Sequence, residues 1–331
     1  MKNKKILLVG GCGFIGHNLA IHLKKKNFEP IIIDSLSINN LNSINDEEIK
    51  NKHLYKSILE TRIDLLKEHN IKLIIQDVRE HKKVLELFSS INPDIIIHLA
   101  AVSHANKSNK DPHTTFDNSL RTLENTLDYS RKNKTHVIYL SSSMVYGNFN
   151  NKTVDESTIC DPIGIYGNLK LSSERMIKSY SGVFDMPYTI IRPSALYGER
   201  CVSRRVGQIF IENAINDKEI KIGGDGEDKL DFTYIKDLCN GVILSIEKKE
   251  ALNEIFNLTY GGAKTINNLK DILLDNFPNA KITYEKRDKL MPKRGTLSIN
   301  KAKKLLGYNP TFPIEEAYPA YIKWYKEFLN N

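Results

Sequence analysis

Short apolar runs spaced by longer amphipathic stretches constrain this chain more than any other feature. Ile6–Val9, Pro30–Ile33, Lys72–Ile75, Asp94–Leu99, His136–Leu140 and Tyr188–Ile191 are largely continuous rather than alternating, as strands buried on both faces are. Between them, Ile15–Lys26, Lys82–Phe88, Thr114–Lys132 and Leu169–Tyr180 carry the spacing of amphipathic helices. Such an alternation predicts an α/β fold with a doubly wound parallel sheet covered on both faces. The stretch Ser35–Asn70 departs from the pattern: an Asn-rich loop (Asn39–Asn42) precedes an inserted amphipathic helix through Tyr55–Glu68. Past Arg192 the pattern loosens. Gly223–Gly226 reads as a turn, Asp231–Ile235 and Phe256–Thr259 as strands, and Asn300–Leu306 and Glu315–Leu329 as helices. The expected division is residues 1–192 and 231–259 in the first domain, with 193–230 and 260–331 in a smaller α/β domain.

Gly10, Gly13 and Gly16 stand between the first strand and the first helix, with Phe14 and Ile15 among them. Glycines there permit a tight turn and let the backbone approach a pyrophosphate at the positive helix N-terminus. Asp34 closes the second strand, where a carboxylate accepts from an adenosine ribose hydroxyl and repels a 2′-phosphate. No arginine follows Asp34 closely, which favours NAD over NADP. Asp77 and Val78 follow the third strand, where an adenine edge would arrive, although an Asp at a strand end also serves as a turn former. Leu99, Ala100 and Ala101 end the fourth strand. Their size suits a cofactor lying on the backbone and suits helix–sheet packing equally.

Two places carry Tyr-x-x-x-Lys: Tyr166/Lys170 and Tyr260/Lys264. Tyr166 opens an amphipathic helix, so positions i and i+4 share a face, whereas Tyr260 runs into Gly261-Gly262. Ser142 ends the strand before that helix, at the sheet edge where ligands of such folds bind. A lysine ammonium and a nicotinamide cation beside a tyrosine pull its pKa down towards neutral pH, so Tyr166 becomes a proton shuttle for alcohol–ketone redox chemistry. Lys170 would hold the nicotinamide ribose and Ser142 the substrate oxygen.

Composition removes other classes of function. The net charge is +8 with a pI of about 9.0, but the lysines are scattered and form no arm, so no nucleic-acid partner is expected. No run approaches the roughly 20 apolar residues of a membrane span. Cys12, Cys160, Cys201 and Cys239 lack metal spacing and read as reduced thiols, which points to a cytoplasmic protein without a metal.

These motifs together resemble the extended short-chain dehydrogenase/reductase family, in its NAD-dependent nucleotide-sugar epimerase/dehydratase branch. The resemblance rests on Gly10–Gly16, Asp34, Asp77–Arg79, His98–Ala101, Ser141–Ser143 with Val145–Gly147, Tyr166–Lys170, Arg192-Pro193, Asp231-Phe232 and Lys301–Gly307. It implies a Rossmann-type sheet with a C-terminal substrate domain, and adenine contacts from Asp77 and Val78. It also implies that Pro193 lies near the nicotinamide, and a homodimer built on Thr114–Lys132 and Tyr166–Tyr180. By position it makes Ser142, Tyr166 and Lys170 catalytic, with Tyr166 and Lys170 also touching the cofactor. The expected substrate contacts are Ser103, Ser142, Ser143, Tyr166, Arg204, Arg205 and Arg294.

Departures from the family narrow the reaction. The 4,6-dehydratases place Asp-Glu after the catalytic Thr, where this chain has Ser143-Met144. The 3,5-epimerising reductases use a cysteine at the place of Met144. What remains is 4-epimerisation of a nucleotide-diphosphate sugar through a 4-keto intermediate, or oxidation at C4 with release of the ketone. A non-catalytic nucleotide sensor would not need Ser142, Tyr166 and Lys170 together. The stretch between Asp34 and Asp77 is similar in length and pattern to that of UDP-glucuronate 4-epimerases. Leu230 stands where many members carry a phosphate-binding Arg, leaving Arg204, Arg205 and Arg294 as candidates.

Overall fold

The computed structural model describes residues 3–44, 51–102, 105–288 and 290–330. The predicted runs form β1 (Lys5–Val9), β2 (Glu29–Asp34), β3 (Lys72–Ile75), β4 (Ile95–His98), β5 (His136–Leu140) and β6 (Tyr188–Arg192). Later strands are β7 (Leu196–Tyr197), β8 (Ile220–Gly223), β9 (Lys229–Leu230), β10 (Thr233–Tyr234), β11 (Glu254–Asn257), β12 (Lys264–Thr265) and β13 (Ile282–Glu285). The central sheet runs β11-β6-β5-β4-β1-β2-β3, every pair parallel. Period-two burial explains why β1 is apolar throughout. Ile6 and Leu8 join a cluster with Leu19 and Leu23 of α1 (Phe14–Lys25), while Leu7 and Val9 pack with Val84 and Phe88 of α3 (His81–Ile91). Strand order reverses beside β1, so β1 and β4 open a crevice at their carboxyl ends.

The inserted helix is α2 (Lys52–Glu68). Its Tyr55, Ile58 and Leu59 pack with Ile44 and Val202, which fastens the insertion to the later part of the chain. Asn40, in the Asn-rich loop, is buried; its Nδ2 donates to Cys12 O and its Oδ1 accepts from Leu41 N.

The helix expected over Thr114–Lys132 is continuous but carries a π turn inside it. A short α4 (Ala105–Lys110) precedes α5 (Pro112–Phe116), a π turn occupies Asp117–Arg121, and α6 (Thr122–Asn133) follows. Side chains take up the carbonyls at this turn: Thr122 Oγ1 donates to Asn118 O at 2.9 Å and Asn118 Nδ2 to Thr114 O at 2.8 Å. The helix carrying Tyr166 is longer than its pattern, forming α7 (Gly164–Phe184).

Beyond β6, two-residue strands pair outside the central sheet: β7 with β10 and β9 with β12, while β8 pairs with β13. The strand expected over Asp231–Ile235 shrinks to β10, because Ile235 already begins α9 (Ile235–Glu247) and Asp231 turns inward. The Asp231 carboxylate accepts from Leu297 N, Gly261 N and Thr259 Oγ1, replacing ladder bonds with side-chain ones. The helices α8 (Val206–Ile215), α10 (Ile266–Asn276), α11 (Asn300–Leu306) and α12 (Ile314–Asn330) complete this half.

Candidate active site

The crevice holds two adjoining cavities. The first lies over the carboxyl ends of β1, β2 and β4 and is lined by Gly10, Gly13, Phe14, Ile15, Gly16, Asp34, Asp77, Val78, Leu99, Ala100 and Ala101. Gly10 has φ +75°, and a Cβ there would sit 2.7 Å from the Ala100 backbone, so the fold itself requires this glycine. Gly13 is different. A Cβ would meet only Gly10 O, at 3.5 Å, and no side chain caps α1 at this residue, so nothing in the chain demands a glycine. Asp34 accepts from Cys12 N at 2.9 Å and Leu36 N at 2.7 Å. Burial pushes its carboxyl above the ordinary value, opposed by those two N–H groups and by the charge of Arg62. Asp77 is held by Arg79 at 2.6 Å, a hydrogen bond that keeps its carboxyl below the ordinary value.

The second cavity is lined by Ser142, Ser143, Tyr166, Lys170, Pro193, Arg204, Arg205 and Arg294, and Ile15, Leu99, Ala101, Leu196 and Arg205 border both spaces. Ser143 N donates to Pro193 O, tying the ends of β5 and β6 together beneath it. A Cβ on Gly167 would stand 2.8 Å from Met144 O, so this glycine lets α7 come close to the turn after Ser142. Lys170 is buried, donates to Leu140 O at 2.6 Å and lies 4.6 Å from the Tyr139 ring centre. Burial pushes its pKa down from 10.5 to about 7, against the opposing pull of Glu174. Ser142 Oγ accepts from Met144 N at 3.2 Å. Behind these residues Glu174 pairs with buried Arg192 at 2.6 Å and accepts from Ser141 Oγ. Arg294 is half-buried, its pKa lowered to about 10 by desolvation and then by Arg205, and its enclosed Nε has no partner among the described residues. No carboxylate lines this cavity among the described residues, whereas Lys170, Arg204, Arg205, Lys221 and Arg294 do.

Tyr260 and Lys264 border neither cavity, and Lys264 pairs with Glu315 instead. Ser103 lies outside the described residues.

The sequence model of the NAD dependent epimerase/dehydratase family matches residues 6–259. The chain belongs to this family. A putative UDP-glucose 4-epimerase of Methanocaldococcus jannaschii is 29% identical over 97% of this chain and 98% of its own. A UDP-glucuronate 4-epimerase of Thermodesulfobacterium geofontis is 28% identical over 97% and 96%. The crystal structure of the UDP-glucuronic acid 4-epimerase from Bacillus cereus, in complex with UDP-glucuronic acid and NAD, superposes with a TM-score of 0.86 at 25% identity, over 98% of this chain and 99% of that one. The chain is thus an extended short-chain dehydrogenase/reductase with NAD as its cofactor.

This epimerase/dehydratase chain offers a lining that fits NAD. Gly13 leaves room at the N-terminus of α1 where a pyrophosphate would lie, and the small side chains of Ala100 and Ala101 leave the backbone open. Several lining residues lie beyond the motif-based expectation. Asn118 and Thr122 reach the first cavity from the π turn and α6, and Arg62 reaches it from α2. Arg62 had a visible signal: the buried positions of α2 are Tyr55, Ile58, Leu59, Arg62 and Leu66, so an arginine occupies the apolar stripe. Lys221, Leu269 and Met291 line the second cavity from elements with no recognisable motif. No described helix is long and apolar enough to cross a membrane, and no metal-holding cluster occurs among the described residues.

Proposed function

We propose that the protein is a cytoplasmic NAD-dependent nucleotide-sugar 4-epimerase, acting on a UDP-hexose or UDP-hexuronate through a transient 4-keto sugar. The observation that carries this reading is the makeup of the second cavity. Tyr166, Lys170 and Ser142 line it together, cationic side chains line the same space, and no described carboxylate does. A diphosphate is what such a cationic lining neutralises, and Arg294, with its unpartnered Nε, is suited to it. The missing carboxylate removes the acid–base pair that water elimination would need.

Bound NAD supplies the reversible redox step at C4. Tyr166 takes the proton from the 4-OH and returns it after the keto sugar has turned its other face. Ser142 donates to the C4 oxygen and places it. Lys170, anchored on Leu140 O, orients the nicotinamide ribose and, when protonated, favours the phenolate. Two copies are proposed to associate through α6 and α7.

Incubation with UDP-glucose and UDP-glucuronate, followed by proton NMR of the sugar, tests the activity. The expected product is an equilibrium mixture of C4 epimers with NAD still oxidised. A released ketone with stoichiometric NADH would make the protein a 4-dehydrogenase. No change at C4 in a panel of nucleotide sugars would overturn the reading.

A further inference from the structure

Arg62 is 1% exposed and stands among apolar residues on the inserted helix. A guanidinium is rarely buried there without a task, since its hydration is lost. Two of its nitrogens are occupied: Nε donates to Arg200 O at 3.0 Å and Nη2 donates to the same oxygen. Arg200 in turn bonds His17 Nε2 and Asn18 Oδ1, each at 3.1 Å, so Arg62 is braced against α1. The remaining nitrogen, Nη1, is buried with no partner among the described residues. Arg62 and Asp34 line the same cavity, and their charges interact.

An adenosine ribose offers two adjacent hydroxyls, each both donor and acceptor. Asp34 supplies only acceptors, and each of its oxygens already receives one backbone N–H. One donor facing the diol would complete the match. We propose that Arg62 is a cofactor-binding residue whose Nη1 donates to the adenosine-ribose diol that Asp34 accepts from, making the inserted helix part of the NAD site. A 2′-phosphate would gain Arg62 but meet the Asp34 carboxylate, so the pair reads hydroxyls.

The test uses Arg62→Met, which keeps length and removes the donors, with Ile58→Ala as a control that loosens the same helix. The readouts are the NAD content of the purified protein and the affinities for NAD, for NADP, and for NAD lacking the 2′- or 3′-hydroxyl of its adenosine ribose. Loss of one charge-assisted hydrogen bond predicts NAD binding weaker by about 10- to 100-fold. Arg62→Met should also lose the preference for NAD over one of the two deoxy analogues, while Ile58→Ala keeps it. If Arg62→Met does not fold, Arg62→Lys carries the same comparison, with partial loss of that preference expected. Unchanged NAD affinity with a lower melting temperature would reduce Arg62 to a brace and overturn the proposal. Wild-type protein that binds NADP as tightly as NAD would overturn it too, because the guanidinium would then read a phosphate.

Discussion

The two cavities share a wall but are built from different material. The first is lined largely by glycines, other small residues and the two acids Asp34 and Asp77, over the ends of β1, β2 and β4. The second is lined by side chains scattered from Ile15 to Tyr318, many of them long. A ligand met by backbone leaves its mark as glycine spacing within one loop. A ligand met by side chains depends on where distant elements come to rest. Residues of the second cavity should therefore separate into those that do chemistry, those that hold the wall and those that bind charge.

The largest expected effect tests the chemistry alone. Tyr166→Phe removes the proton shuttle and should lower turnover by about 10²- to 10⁴-fold, measured as C4 interconversion by NMR. The purified variant should retain most of its NAD. Equal loss of NAD would mean that the two cavities are not separable functions.

Next comes the wall. Glu174 and Arg192 are both nearly inaccessible, at 2% and 4% side-chain exposure, and Arg192 also donates to the Tyr146 hydroxyl. Burial works against the Arg192 charge, and the Glu174 carboxylate more than compensates, raising its pKa. Glu174→Gln leaves that guanidinium uncompensated and should cost about 3–5 kcal/mol in urea unfolding. The double replacement Glu174→Leu with Arg192→Met should recover most of the loss. If the single variant costs nothing, the wall does not depend on this pair.

The same contrast explains what could be read in advance. The central strands were legible because burial on both faces demands unbroken apolar runs, as in Ile6–Val9. Gly10–Gly16, Asp34, Asp77-Val78 and Leu99–Ala101 were legible as a group because each ends a strand at one edge of the sheet, and the structure brings them to one cavity. Their individual roles remain proposals. The later half was hard to read because β7, β9, β10 and β12 have two residues each, too few for any period to show. The π turn at Asp117–Arg121 keeps a helical pattern while shifting which residues face the crevice. Arg62 stood out only as an arginine in an apolar stripe; its place beside Asp34 could not be read, because separation in sequence says nothing about the fold of the insertion.

A third prediction concerns pH. Lys170 titrates near 7 in the folded protein, whereas an unfolded lysine titrates near its ordinary 10.5. Between those values the unfolded chain binds more protons, so stability should rise as pH climbs from 7 towards 10. The cost of burying the charge is fully present below 7. Each pH unit in that window adds at most about 1.4 kcal/mol. Lys170→Met should flatten the profile, gaining stability most at low pH while losing turnover. Urea midpoints from about pH 6.5 to 9 measure it, and a wild-type profile as flat as that of the variant would remove Lys170 as the cause.

The smallest effect separates binding from support. Arg294 is half-buried where Arg192 is buried, and it has no ion pair among the described residues: its Nε is enclosed without a partner, and Arg205 repels it while Asp228 pulls the other way. Glu174 and Arg192 satisfy one another without a ligand, whereas Arg294 is left for one. Arg294→Met should therefore leave stability unchanged or raise it by at most about 1 kcal/mol, because an unpaired, partly buried charge has gone. The affinity for UDP should fall about 10-fold, the value of one lost charge-assisted contact, with NAD content unchanged. Calorimetric titration with UDP, UMP and uridine reads the difference: the loss should be clear for UDP and absent for uridine. An equal loss for uridine would place Arg294 on the base rather than the phosphates. A destabilised variant with normal UDP affinity would return Arg294 to the supporting wall.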